Sequence, residues 1–421
     1  MIRPGFVFRV LRHRNYRLYF SGQIVSMTGT WMQRVAEGWL VYRLTGSALA
    51  LGTVRFAGQL PSLLLMPVTG VFADQRNRHR ILIATQAGAM LQAALLCVLV
   101  LTGFATVELV ALLAFAGGVL FAVEAPARQS FVVQMVPDRE DLSNAIALNS
   151  ALFNTARIAG PSLAGLIVAA LGEGPVFGLN SISYLAVIYA LLVMKPGVQE
   201  TRLPRGNVMG SLGQGVAYSM KVPAVRVLLA ALAFQSIFSF NFITIMPVFA
   251  REVFGGDART LGFLLAAVGM GAIAGAVFVS STTSPKTLWR WLPLSPAMLS
   301  AGLGAFSLSR ALVSGLAALP LAGFGMITFM TSCNTILQHL VPDDMRGRVM
   351  SLYTFSVMGA MPLGSLLWGA LAEAWGAPAA SWSGCAAAAL ACAVMARVAR
   401  VIEPFGAEEP AGGTTFAPPQ E

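Results

Sequence analysis

Residues 160–172 read GPSLAGLIVAALG, and residues 364–376 read GSLLWGALAEAWG. Gly160, Gly165 and Gly172 recur as Gly364, Gly369 and Gly376, each 204 positions later. Upstream of both stretches Val136-Pro137-Asp138 recurs as Val341-Pro342-Asp343, at an offset of 205. Such matches at corresponding places of two apolar segments are improbable by chance, so the chain reads as one unit used twice. Small residues in apolar helices let a neighbouring helix approach closely.

The surrounding composition sets the medium. Of 421 residues 56% are hydrophobic and 11% charged, with a mean hydropathy of +0.72. Soluble domains carry about 25% charged residues, so this chain lacks the polar surface to cover a water-facing globule. Apolar runs fall near 18–43, 47–73, 80–102, 107–127, 143–171 and 176–195, then near 225–250, 260–281, 287–309, 312–338, 347–374 and 378–401. Each is about as long as the ~20 residues of a spanning helix, and backbone groups in lipid must be satisfied within the segment, which makes such runs helical. The strands of a membrane barrel would be shorter and would alternate. The run with Pro293 and Pro296 is the weakest. The expected fold is all-α and integral to the membrane, with twelve transmembrane helices in two pseudo-symmetric six-helix bundles. Residues 1–195 and 225–402 form the bundles. A basic cytoplasmic linker, 196–224, joins them, and its part from 207 to 220 suits an interfacial helix. Residues 403–421 have the composition of a disordered cytoplasmic tail.

The net charge of +10 is not a nucleic-acid signal, because it follows the spans. Of the 28 Lys and Arg, 21 fall in segments assigned to the cytoplasm. Arg43, Arg251, Arg259 and Arg310 fall outside, and Arg34, Arg55 and Arg157 lie within spans. This is the positive-inside asymmetry of a multi-pass protein with both termini cytoplasmic, and a bacterial-type inner membrane is the expected location. The N-terminal arginines precede an apolar run without a small-residue cleavage site, so the first helix is read as retained. Cys97, Cys333, Cys385 and Cys392 all lie in apolar runs and read as small buried hydrophobes. His13, His79 and His339 are scattered without metal-ligand spacing, and no metal is expected. Neither a GxxxxGK[ST] phosphate loop nor a nucleophile, base and orienting group of an enzyme is present in the sequence.

Two motifs carry a family likeness. The segment GVFADQRNRHR, 70–80, is similar to the G-x-x-x-D-R-x-G-R-R loop of the major facilitator superfamily through Gly70, Asp74, Arg78 and Arg80. Gln75 replaces a basic residue there, and Asn77 replaces the glycine; a left-handed turn is expected at Asn77, which tolerates one. The segment ARIAGPSLAGL, 156–166, resembles that family's antiporter motif through Gly160, Pro161 and Gly165, with Ala156 and Ala164 replacing glycines. Longer stretches, 14–52 and 124–165, are similar to the branch containing enterobactin exporters and macrolide efflux proteins. The resemblance implies alternating access and proton-driven export of a small amphipathic organic molecule, with the proton gradient as energy source and no cofactor. It also implies an inner gate in which Asp74 meets Arg346 and Arg348 across the halves, and a cavity lined by spans one, four, seven and ten. Candidates on those faces are Gln235, Phe238, Ser239 and Phe242 of span seven and Thr328, Thr331, Asn334 and Thr335 of span ten.

Within TWMQRVAEGWLVYRLTG, 30–46, Arg34 and Glu37 are neighbours on one helix face. At 1.5 Å per residue they lie roughly 6 to 10 Å from the centre of their span. Each charge costs about 2.5–3.5 kcal/mol near a span's centre, so they face a wet cavity or each other. Two readings stay open: a structural ion pair, or Glu37 as proton carrier with Arg34 and burial pulling its ionisation in opposite directions. Arg157 pairs with a carboxylate such as Glu124 or meets an anionic substrate group, and Glu124 with Arg128 reads as a gate or boundary pair. Proton chemistry is thus expected in the first half, at Glu37, Arg34, Arg157 and Glu124. The expected partners are a small amphipathic organic substrate and membrane lipid, with the chain acting as a monomer. A lysophospholipid or other lipid transporter of the same fold, and a ligand sensor that moves nothing, are the alternatives.

Overall fold

A computed structural model describes residues 8–136, 138–194, 208–282 and 284–401. Pro137 of the first repeated V-P-D, linker residues 196–207 and the tail lie outside the described residues, as do the side chains of a few helical positions, Gly70 and Asp74 among them. The described residues form helices and no strand. Spans one to six are Arg14–Thr45, Ala48–Gln75, Arg78–Leu101, Val107–Met135, Arg139–Leu171 and Glu173–Val193. Spans seven to twelve are Pro223–Val253, Ala258–Ser281, Pro285–Leu308, Leu312–Leu340, Asp343–Trp375 and Ala377–Val401. Eleven of the twelve are long and apolar enough to cross a bilayer. Span one is the exception. Its 32 residues reach about 48 Å at 1.5 Å per residue, but Arg14, Arg17, Arg34, Glu37 and Arg43 punctuate it, so it needs polar surroundings supplied by protein.

Side-chain chemistry sets many of the ends. Ser47, Asn77, Thr106 and Asp257 accept hydrogen bonds from the backbone of spans two, three, four and eight, satisfying donors that a helix start leaves open. Asn77 does so from an extended conformation, φ −67° and ψ 107°, and no described non-glycine residue has positive φ. The left-handed turn expected there is therefore absent. Capping the Arg80 N–H at 3.1 Å satisfies a helix donor, and Asn77 no longer needs a glycine-like conformation.

Spans seven and eleven are broken rods. Span seven is α-helical over Pro223–Phe238, tightens to a 3-10 segment over Phe240–Ile245 and ends in a π turn over Phe249–Val253. Span eleven runs Asp343–Thr354, a π turn Phe355–Gly359, then Met361–Trp375. Pro247 and Pro362 stand beside these breaks and have no N–H to give to the preceding turn. Span nine likewise divides at Pro293, into Pro285–Trp291 and Leu294–Leu308.

The packing repeats. Span two lies on span four as eight lies on ten, span three on six as nine on twelve, and span one on six as seven on twelve. The bundles meet along two equivalent seams, five on eight and two on eleven. A Cβ on Gly165 would fall 2.6 Å from the Ala258 carbonyl oxygen, and one on Gly369 would fall 2.7 Å from that of Ala48. The repeated glycines are thus the points where the backbones of the halves touch. Gly160 and Gly364 make the matching approaches inside each half, against Trp31 of span one and Ile237 of span seven. Gly172 and Gly376 end spans five and eleven with φ of 84° and 83° and ψ of −179° and 157°, a region essentially restricted to glycine. At the face where spans one and two join, the Tyr42 hydroxyl donates to Glu252 of span seven. On that face Ser47 Oγ and the Leu49 N–H also donate to Glu373 of span eleven at 3.0 and 3.1 Å. On the opposite face the helix Val208–Lys221 packs on the start of span eleven.

Candidate functional site

A cavity of about 400 Å³ lies among the spans of the first bundle and is capped by Met358 and Met361 of span eleven. Arg34, Glu37, Arg55, Glu124 and Arg128 all reach its wall. Arg34 is exposed and Glu37 partly so, and both line this cavity. Opposite charges in span one are thus turned to a cavity among the helices. The charges acting on Glu37 are those of Arg55 and Arg34, yet among the described residues Glu37 forms no ion pair within 4 Å. The Arg34 guanidinium carbon instead sits 4.9 Å from the centre of the Trp31 ring, a cation–π contact. A closed Arg34–Glu37 pair is not what the structure holds.

Arg55 was the neighbour of Glu37 that the sequence reading left without a role. A signal existed. Gly46 makes the left-handed turn between spans one and two at φ 64°, and Glu37 and Arg55 lie nine residues to either side of it. Antiparallel helices place such residues at equal depth, about 13 Å from the turn at 1.5 Å per residue.

Glu124 meets Arg128 one turn along span four, Nε to Oε1 at 3.7 Å, and Arg157 is not its partner. The i,i+4 neighbour is already on the same helix face, whereas Arg157 is absent from the cavity wall. Its backbone lies against Gly269 of span eight, and its Nε and one Nη are buried without a hydrogen-bonding partner among the described residues.

Behind the charges runs a chain of amides that sequence reasoning also missed. Asn180 Nδ2 donates to Gln33 Oε1 at 2.6 Å, Gln33 Nε2 to Gln92 Oε1 at 2.9 Å, and Gln92 Nε2 to the Leu113 carbonyl at 3.2 Å. These buried groups tie spans six, one, three and four into one register, as satisfied buried networks do. Polar side chains at membrane depth seek such partners across helices, and that was the available signal.

The candidates in the second half do not join the cavity. Gln235, Ser239, Phe242 and Thr328 are buried and, with Phe238, Thr331 and Asn334, are absent from its wall. The Ser239 hydroxyl lies 2.7 Å from Gln235 Oε1 and 3.2 Å from the Gly384 carbonyl of span twelve. Phe238 meets Phe234 with centroids 4.8 Å apart and the rings tilted by 37°, and Asn334 Oδ1 accepts from Gln338 Nε2 at 2.5 Å. Gln235 and Ser239 thus keep one face, one turn apart and both buried, whereas the 3-10 segment Phe240–Ile245 changes the turn angle before Phe242 is reached.

At the linker face Arg346 pairs with Asp343 at 2.6 Å and donates to the Gln338 and Val341 carbonyls, and Arg348 donates to the Asp344 carbonyl. A cation over the carbonyl end of span ten is favoured by the helix dipole. Arg78 is partly buried and Arg80 exposed. The Asp74 side chain and Gly70 lie outside what is described. His13, Asp138 and Asp141 come together although their sequence spacing showed no metal pattern. Arg12 lies 2.7 Å from Asp138 and 2.9 Å from Asp141, and Arg9 lies 3.2 Å from Asp141, so guanidiniums stand where a cation would bind.

A family model described as transmembrane secretion effector matches residues 7–420. The staphyloferrin A transporter of Staphylococcus aureus is 26% identical over 364 residues, covering 85% of this chain and 89% of that protein. The multidrug efflux pump Tap of Mycolicibacterium fortuitum is 26% identical over 373 residues, with the same coverages. Among solved structures, a bacterial homologue of the lysosomal transporter Spinster, in an inward-facing and unoccupied conformation, superposes with a TM-score of 0.69 at 14% identity. That match covers 95% of this chain and 96% of the other.

Proposed function

Because the chain belongs to the transmembrane secretion effector family of major facilitator transporters, we propose that it is a proton-coupled exporter of amphipathic small organic molecules working by alternating access. The efflux and transport roles named for its relatives support a small organic cargo. One observation carries the coupling: Glu37 stands on the wall of a cavity, acted on by two guanidiniums and paired with neither. A carboxylate held in that way responds when its surroundings alternate between wet and closed, whereas a locked ion pair does not. The linker face is cytoplasmic in this reading. In the outward-facing state Arg346 and Arg348 exchange their present partners for Asp74, locking the inner gate. One proton falling through ~100 mV supplies about 2.3 kcal/mol, enough for a cargo gradient of roughly fiftyfold.

The test is transport in proteoliposomes with an imposed pH gradient, using fluorescein, rhodamine 6G and a macrolide as cargoes. At least one is expected to accumulate against its own gradient, and Glu37→Gln to abolish that accumulation while keeping downhill exchange. Flux indifferent to the pH gradient for every cargo, or undiminished accumulation in the variant, overturns the reading.

A further inference from the structure

The cavity wall carries three guanidiniums, Arg34, Arg55 and Arg128, against two carboxylates, Glu37 and Glu124. Arg128 and Glu124 offset each other one turn apart. Arg34 and Arg55 are left to share Glu37, so the site holds one positive charge in excess. The contact of Arg34 with Trp31 is a cation–π contact and supplies no counter-charge. Each guanidinium offers five N–H donors and no acceptor, and neither Arg34 nor Arg55 has an ion pair within 4 Å among the described residues.

A second feature of the same wall points to a ligand. The amide oxygens of Gln59 and Gln86 are buried without a hydrogen-bonding partner, and both residues line the cavity. Gln86 is 3% exposed. Acceptors left bare in this way call for O–H or N–H donors. Around these polar groups the wall is apolar, with Phe121, Phe153, Met358 and Met361. The volume of about 400 Å³ falls among small-molecule sites, which span roughly 300–1,000 Å³, and far exceeds that of a halide.

We infer that the cargo is an organic anion bearing hydroxyl groups, its anionic group held between Arg34 and Arg55 and its hydroxyls donated to Gln59 and Gln86. The inference rests on the exporter reading for its physiological meaning, but the binding it describes is measurable without transport. Glu37 and the anion compete for the same two guanidiniums, so the carboxylate opposes binding by its charge. Charge-assisted bonds from a planar fork suit a carboxylate or phenolate, and the apolar wall accepts the remaining skeleton.

The probes are fluorescein, a hydroxylated xanthene anion, and rhodamine 6G, a cation of the same ring system, measured by anisotropy on the purified full-length protein. Fluorescein is expected to bind at least about tenfold more tightly than rhodamine 6G. Arg55→Gln is expected to weaken fluorescein by about tenfold, the scale of a lost hydrogen bond to a charged group. Arg55→Lys should lose less, and Glu37→Gln should tighten fluorescein. The comparison of dyes on the natural chain needs no variant. Equal or tighter binding of rhodamine 6G, absent fluorescein binding, or displacement of fluorescein by millimolar chloride would overturn the inference. Gradient-driven flux of rhodamine 6G with no anion preference sinks this inference and leaves the exporter standing. Fluorescein binding that needs Arg55, with no gradient-driven flux of any cargo, upholds the anion site and sinks the exporter.

Discussion

Span one and span seven hold equivalent places in the two bundles and differ in almost everything except their packing. Span one is a continuous helix with Arg34 and Glu37 turned into a cavity. Span seven is a rod of α, 3-10 and π pieces, without a charged residue between Arg226 and Arg251, and Asn241 at its break bonds within its own half. Asn241 Nδ2 donates to the Ser236 carbonyl at 2.5 Å, and Ser365 Oγ donates to Asn241 Oδ1 at 2.9 Å. The glycines against these two spans recur, Gly160 beside span one and Gly364 beside span seven. The bilayer asks both bundles for tight helix contacts, so packing is duplicated. Charge at membrane depth is costly, and the described cavity concentrates it in one bundle.

That division of labour is open to direct attack, and the sharpest test contrasts the two spans. Glu37→Gln is expected to reduce gradient-driven flux in proteoliposomes to background. Asn241→Ala should leave the coupling intact and cost about 1–3 kcal/mol for its two lost buried hydrogen bonds, read by thermal unfolding in detergent. An uncoupled Asn241→Ala variant would break the contrast. The seams come next. Gly165→Val and Gly369→Val each force side-chain atoms into a carbonyl of the other half, and each should destabilise by about 1–3 kcal/mol, the overpacking range. Similar losses would sharpen the equivalence of the seams, and a loss at one alone would refute it. Gly172→Ala and Gly376→Ala are expected to cost about 1–3 kcal/mol each, the penalty for a side chain held in a backbone region essentially restricted to glycine, with the two melting shifts alike. The smallest effects belong to the caps at the starts of spans two and eight: Ser47→Ala and Asp257→Ala should each cost about 1 kcal/mol. Ser47 also bonds Glu373 across the halves, so a larger shift there than at Asp257 would measure that added contact.

Much of the fold was legible because its signals are local. Runs such as 80–102 and 378–401 had the length and composition of spanning helices, and the structure forms Arg78–Leu101 and Ala377–Val401. The duplicated glycines announced the two-bundle architecture. The site was legible only in part. The presence of Arg34, Glu37 and Glu124 at membrane depth could be read, and the structure brings them to one wall. One pairing could be read, Glu124 with Arg128 on its own helix. The others could not: Glu37 acquired Arg55 from the next span, and Arg157 stayed off the wall, its backbone against span eight. The setting of Phe242 has a distinct cause, since the break that starts at Phe240 rotates every later side chain, and no periodicity count sees the break.

The sequence by itself determined that this chain crosses the membrane repeatedly, in two related sets of helices, with opposite charges at membrane depth in the first. Those properties follow from the solvent, which acts on each segment separately and admits apolar helices as its main solution for such runs. Only the tertiary structure decided which charges share a cavity, which are paired and which are left in excess. Each successive helical residue turns by about 100°, so a side chain's neighbours depend on breaks, seams and helix contacts far away in sequence.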